Sequence, residues 1–206
     1  MYHSRRTDNY FSFDRNQEVK HMFWDKVSGM YDLFETLYNG KVYAQLGKDV
    51  AEWIEPEDTA LECACGTGEI TGQIAPLCRK VIATDYSLGM LRQAKRKCRK
   101  YSNVKIRRAD MTNLKCRDNA ADKVVAGNVI HLLEDPRLAI RELERVCKPG
   151  GNVIIPTYIN IERKGRVKLF VKAFQWLGAE FRRQFDYESY QELKEGSKIS
   201  IAGEKK

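Results

Sequence analysis

The chain has no Cys-x-x-Cys pair and no cysteine-histidine cluster at zinc spacing. Its six cysteines, Cys63, Cys65, Cys78, Cys98, Cys116 and Cys147, are scattered, which argues against both a disulfide framework and a metal site. They read as reduced thiols of a cytoplasmic protein. No apolar run is long enough to span a bilayer, and no apolar stretch follows the basic start Met1-Tyr-His-Ser-Arg-Arg-Thr-Asp. A soluble, unexported protein without a membrane partner is therefore expected. Internal repeats and low-complexity linkers are missing as well, and 206 residues suit one domain that buries a full core.

What the chain does have is positive charge, +8 in all with a pI near 9.1. The densest cluster is Arg92-Gln-Ala-Lys-Arg-Lys-Cys-Arg-Lys100, which raises nucleic acid as a partner. Yet Leu91, Ala94, Cys98 and Tyr101 recur at helical spacing through the same segment. The cluster thus reads as the solvated side of an amphipathic helix, and no RNA-recognition or helix-turn-helix signature accompanies it. RNA stays as a second partner class behind a small molecule.

Apolar periodicity divides the chain. Residues 16–55 are rich in aromatic and aliphatic side chains at helical spacing, from Met22, Phe23 and Trp24 through Tyr31 and Phe34 to Trp53. From Leu61 onward, short apolar runs alternate with amphipathic helices, the pattern of a doubly wound α/β fold with a mostly parallel sheet covered on both faces. Strands are expected at 61–63, 80–85, 104–110, 122–127 and 151–157, and helices at 69–77, 88–101 and 137–146.

The first strand ends in an acid and runs into a glycine-paired turn, Glu62-Cys-Ala-Cys-Gly-Thr-Gly68. Gly66 and Gly68 carry no Cβ, so the turn can be tight and its backbone can approach a ligand closely. Glu62 stands where a dinucleotide would put its pyrophosphate. An anion there repels phosphate and favours a cationic ligand such as an ammonium or a sulfonium. Asp85 closes the second strand about twenty residues on, the place from which a carboxylate can accept both hydroxyls of a ribose. Asp110 and Met111 close the third strand, and Asn128 and His131 follow the fourth. Each taken singly has an ordinary structural role open to it: helix caps for the aspartates, packing for His131, core filling for Met90.

Taken together, these strand ends resemble the class I S-adenosylmethionine-dependent methyltransferases. Glu62-Cys-Ala-Cys-Gly-Thr-Gly68 is similar to their first motif, with Ala64 where many members carry a third glycine, and Asp85-Tyr-Ser-Leu-Gly-Met-Leu91 is similar to their Asp-x-Ser-x-x-Met-Leu segment. Val146-Cys-Lys-Pro-Gly-Gly151 also fits, and the resemblance covers about Trp24 to Tyr158. It implies a Rossmann-like fold binding S-adenosylmethionine. Residues 1–15 would be a flexible N-terminal segment and 16–206 one domain, made of a helical lid (16–55), a cofactor-binding core (56–158) and a C-terminal helix with an edge strand (159–206). Glu62, Ala64, Gly66, Thr67 and Gly68 would hold the methionine part, Asp85 with Tyr86 and Met90 the ribose region, and Asp110 with Met111 the adenine. Asn128 would border the transferred methyl, Tyr31 would lie over the cofactor, and His131 would be the candidate general base.

Two rivals remain at the sequence level. Gly66-x-Gly68-x-x-x-Gly72 also resembles the loop of a nicotinamide-dependent oxidoreductase, against which Glu62 counts. A protein that keeps the fold and the cofactor without catalysis is the other, because the C-terminus is short: after an aromatic helix over 166–185, only 198–202 reads as a strand where the family adds an antiparallel hairpin. An unpaired edge invites a second copy, so a homodimer is expected.

Overall fold

The computed structural model describes residues 40–157, 197 and 199–200. In order these form α1 (Gly40–Ala51), β1 (Thr59–Cys63), α2 (Glu69–Ile74), β2 (Lys80–Asp85), α3 (Leu88–Lys97), β3 (Val104–Arg108), β4 (Ala121–Val125), α4 (Pro136–Val146), β5 (Cys147–Ile154) and β6 (Ile199–Ser200). The strands make one sheet in the order β3-β2-β1-β4-β5-β6, and every pairing is parallel. The order reverses between β1 and β4, which in open α/β sheets is where a ligand crevice opens at the strands' carboxyl ends.

Alternation along each strand sorts the apolar side chains onto two faces. Ala60, Val81, Ala83, Val125 and Ile154 meet Leu46 and Val50 of α1, Ile70 and Ile74 of α2, and Leu91 and Ala94 of α3. Leu61, Cys63, Val124, Val153 and Ile155 meet Ala139, Ile140, Leu143 and Val146 of α4, together with Leu114 and Ile199. The central strand β1 is buried along its whole length, as a parallel strand sandwiched by helices must be.

Several expected boundaries move: β1 begins at Thr59 rather than 61, α3 ends at Lys97 rather than 101, β3 at Arg108 rather than 110 and β4 at Val125 rather than 127, and three further differences have a local reason. The helix after the glycine turn stops at Ile74 and tightens into a 3-10 turn over Ala75–Leu77, because Pro76 has no N–H to continue the ladder. The fifth strand begins at Cys147 rather than 151. Cys147 pairs with Ala121, the ladder slips at Pro149-Gly-Gly151, and pairing resumes with Lys123 opposite Asn152. The turn signal was real, but it sits inside the strand as an irregularity that the left-handed Gly150 (φ 78°) accommodates. At the C-terminus, Ile199–Ser200 forms a sixth strand at the sheet edge, and it runs parallel to β5. Most of the expected 16–55 helical segment and the 166–185 helix lie outside the described residues.

Candidate functional site

The carboxyl ends of β1, β2, β3 and β4 carry the residues singled out by sequence. Between β1 and α2, Ala64 (φ 54°), Gly66 (φ 54°) and Gly68 (φ 87°) are all left-handed. A Cβ on Gly68 would stand 3.2 Å from Ala94 Cβ and from Cys98 Sγ, so both backbone angle and packing demand glycine there. At Gly66 a Cβ would meet nothing within 4 Å. That open space above the turn is room for a ligand.

The loop's backbone is held from below. Cys65 N–H donates to Thr84 O (2.9 Å), Gly68 N–H to Cys65 O (2.9 Å), and Gly66 N–H to the Asp85 carboxylate Oδ2 (2.9 Å). Asp85 Oδ1 accepts from Ser87 N–H (2.8 Å), and Ser87, the N-cap of α3, accepts from Met90 N–H (3.1 Å). These three loop amides are thus engaged in shaping the turn. Asp85 thus ties the glycine turn to the start of α3.

Glu62 lies under the turn with 2 % of its surface exposed. Thr71 Oγ1, one turn into α2, donates to its Oε2. Burial pushes the Glu62 carboxyl up to about 8; the Thr71 bond opposes that rise and the neighbouring Asp85 charge adds to it. Two carboxyl groups are therefore gathered where β1 and β2 end, and burial favours the protonated form of Glu62 until a cation is brought beside it. Burial, with the neighbouring Glu62 adding to it, raises the thiols of Cys65 and Cys98, the latter to about 11, which disfavours their thiolate forms.

Thr67 is buried and accepts from Lys97 Nζ (3.1 Å), which also pairs with Glu69 and so pins the turn to α3. Tyr86 is half-buried with the Arg108 guanidinium 5.1 Å from its ring centre, while Arg108 Nε donates to Tyr86 O (2.9 Å). Met90 is buried in the first turn of α3. Asp110, half-buried, accepts through Oδ1 from Thr112 N–H (2.8 Å) and Thr112 Oγ1 (2.7 Å), the pattern of an Asx turn. Met111 belongs to the core on the α4 face. Asn128 is left-handed (φ 52°) with its N–H on Pro156 O (2.8 Å), and His131 is half-buried in the 3-10 turn Ile130–Leu132. Tyr31 lies outside the described residues.

Sequence reasoning missed Thr71, Ser87 and Arg108. Thr71 had a signal: it is a hydroxyl between Ile70 and Ile74 on the buried side of α2. Ser87 had the N-cap signature ahead of an apolar helix. Arg108 had none, because its stacking on Tyr86 arises from the register that sets β3 beside β2.

The family model described as Methyltransferase domain matches residues 61–155. The demethylmenaquinone methyltransferase of Corynebacterium urealyticum is 33% identical over 144 residues, covering 69% of this chain and 60% of that protein. The enzyme of the same name from Corynebacterium kroppenstedtii is 30% identical over 141 residues, covering 68% and 59%. The chain thus spans about three fifths of the length of these relatives. Among solved structures, a Methanococcus maripaludis protein assigned as an S-adenosyl-L-methionine-dependent methyltransferase aligns with TM-score 0.65 at 18% identity, covering 94% of this chain and 99% of that one. Phosphoethanolamine N-methyltransferase 1 of Haemonchus contortus aligns with TM-score 0.61 at 19% identity, covering 80% and 35%. At such identities the likeness speaks for the fold.

Proposed function

Because the chain belongs to the class I S-adenosylmethionine-dependent methyltransferases, we propose that it moves a methyl group from S-adenosylmethionine to a small organic acceptor. The observation that carries this reading is the buried Glu62 carboxyl beneath the glycine turn, close enough to Asp85 for their charges to interact. An ammonium or sulfonium brought there favours the ionised carboxylate and pairs with it, whereas the pyrophosphate of a nicotinamide dinucleotide would gain no such partner.

S-adenosylmethionine, when bound, supplies the electrophilic methyl. The chain's own residues have the tasks of binding, orienting and excluding water. Glu62 would face the methionine part and the open space over Gly66 would admit it. Asp85 would accept from the ribose hydroxyls. Asp110 would accept from the adenine amine, with Tyr86 and Arg108 bordering the base. Asn128 and His131, at the end of β4, would face the acceptor, with His131 in reach to take its proton where one must leave. The relatives' names make an aromatic, quinol-like molecule the first acceptor class to screen.

Isothermal titration with S-adenosylmethionine, S-adenosylhomocysteine and NADPH tests the reading. Saturable binding of the first two is expected; binding of NADPH alone would overturn it. Tight binding without labelled-methyl transfer across an acceptor screen would make the chain a cofactor-binding protein instead.

A further inference from the structure

Between Arg79 and Arg108 the chain places eleven lysines and arginines against one acid, Asp85, a net +10 where the whole chain has +8. Everything outside this stretch is therefore net −2. The stretch is a single βαβ unit, β2-α3-β3, and the strand order puts it at one edge of the sheet. The protein's excess charge is thus a local feature of one margin of the fold.

Its charges lie on both sides of that margin. On one side α3 packs on Val81, Ala83, Val104 and Ile106, leaving Lys95 exposed on the helix and Arg99 and Lys100 exposed just beyond it. Strand alternation sends Lys105 and Arg107 to the opposite face, where both are exposed and pair in register with Ile82 and Thr84 of β2. Lys80 belongs with them: its ammonium is held below the usual lysine range by partial burial and by repulsion from Lys105, Arg79 and Arg107. Crowded cations of this kind are relieved by an anionic partner.

We propose that this edge is a docking ridge for single-stranded nucleic acid, separate from the methyl-transfer site. Cations facing opposite ways across a sheet edge cannot all meet a flat anionic bilayer, whereas a flexible strand can wrap the ridge and neutralise both flanks. Arginine guanidinium groups match phosphate geometry. A half-buried tyrosine stands at one end of the ridge, Tyr101 with Lys100 Nζ 5.0 Å from its ring centre, and such a ring is a platform on which an unpaired base stacks. The inference rests on charge placement and does not depend on the methyl-transfer reading.

Fluorescence anisotropy tests it, using the full chain and a labelled RNA of about 16 nucleotides, near the largest single-strand site size for small binding folds. Saturable binding is expected, and neutralising six phosphates should make log K fall with log salt at a slope of about −4 between about 50 and 200 mM salt. Two double variants separate the flanks: Lys95→Glu with Arg99→Glu, and Lys105→Glu with Arg107→Glu. Each should flatten the slope by about 1.4 and weaken binding about tenfold or more, with thermal unfolding and S-adenosylmethionine affinity unchanged as evidence of an intact fold. DNA of the same sequence serves as a second arm, and equal affinity would show that phosphate and base stacking suffice without the 2′-hydroxyl. No saturable binding, sensitivity to only one of the two variants, or tighter capture by phosphatidylglycerol vesicles than by RNA would overturn the proposal.

Discussion

Gly66 N–H donates to the Asp85 carboxylate at 2.9 Å, so the residue proposed to hold the ribose also holds the glycine turn in shape. Two strand ends nineteen residues apart in sequence are thereby one unit. Replacing Asp85 removes a ligand contact and the brace of the loop together. Asp85→Ala is expected to weaken S-adenosylmethionine binding by roughly 1–3 kcal/mol. Titration calorimetry reads the change, and an unchanged affinity would leave Asp85 only its structural bonds to Gly66 and Ser87.

Glu62 gives a pH dependence of definite sign. Its folded-state pKa is raised to about 8 from the ordinary glutamate value of 4.5, so the folded state binds the proton more tightly than the unfolded chain. Its contribution to stability is fully present below about pH 4.5, declines as pH rises, and has been lost above about pH 8. Glu62→Gln should therefore flatten the stability profile across that window and leave the cofactor-free protein more stable than the parent at pH 8. Urea unfolding at several pH values decides it; parallel profiles for the two proteins would refute the assignment.

The same carboxyl predicts a proton event. An ammonium brought beside Glu62 favours its ionised form, so S-adenosylmethionine binding at pH 7 should release a proton. Calorimetry in two buffers of different ionisation enthalpy measures that release, and equal apparent enthalpies would mean that no such proton moves.

Ala64 is an alanine held at φ 54°, a backbone that costs an L-residue roughly 1–2 kcal/mol. Ala64→Gly should raise unfolding stability by about 1 kcal/mol, less than the full strain because glycine has more freedom to lose on folding. A lower melting temperature for the variant would show that the methyl group packs better than the strain suggests.

Arg145, on the last turn of α4, ties down the chain between β3 and β4. It donates to Leu114 O (2.8 Å), Cys116 O (2.9 Å), Asp118 Oδ1 (2.6 Å) and both Glu142 oxygens, while Glu142 accepts from Leu114 N–H (2.7 Å). Arg145→Met keeps the apolar stem and removes these bonds, and should cost roughly 2–3 kcal/mol, since bonds to charged groups are worth more than neutral ones. Hydrogen exchange should quicken at Leu114, and unchanged protection there would count against the role.

Much of this was legible in the linear chain because it is governed by short-range rules. Apolar runs of about five residues separated by amphipathic helices specify a covered parallel sheet, and Asp85-x-Ser87 marks a helix start. Glu62 ahead of two glycines already argued for a cation. The left-handed angle at Ala64 was hidden, because propensity assigns an alanine no such conformation and only the closed turn forces it there. Cys147 as the true start of β5 was equally hidden, since strand ends depend on what lies alongside.

The sequence by itself determined the elements, their order and the kinds of residue at each strand end, because periodicity and turn chemistry are local. Tertiary structure alone decided that Glu62 is buried with its carboxyl pKa raised and that Gly66 leans on Asp85. It also gathered the basic residues onto one edge of the sheet. Those outcomes depend on burial, register and distance between segments far apart in the chain, and none of these exists until the strands lie side by side.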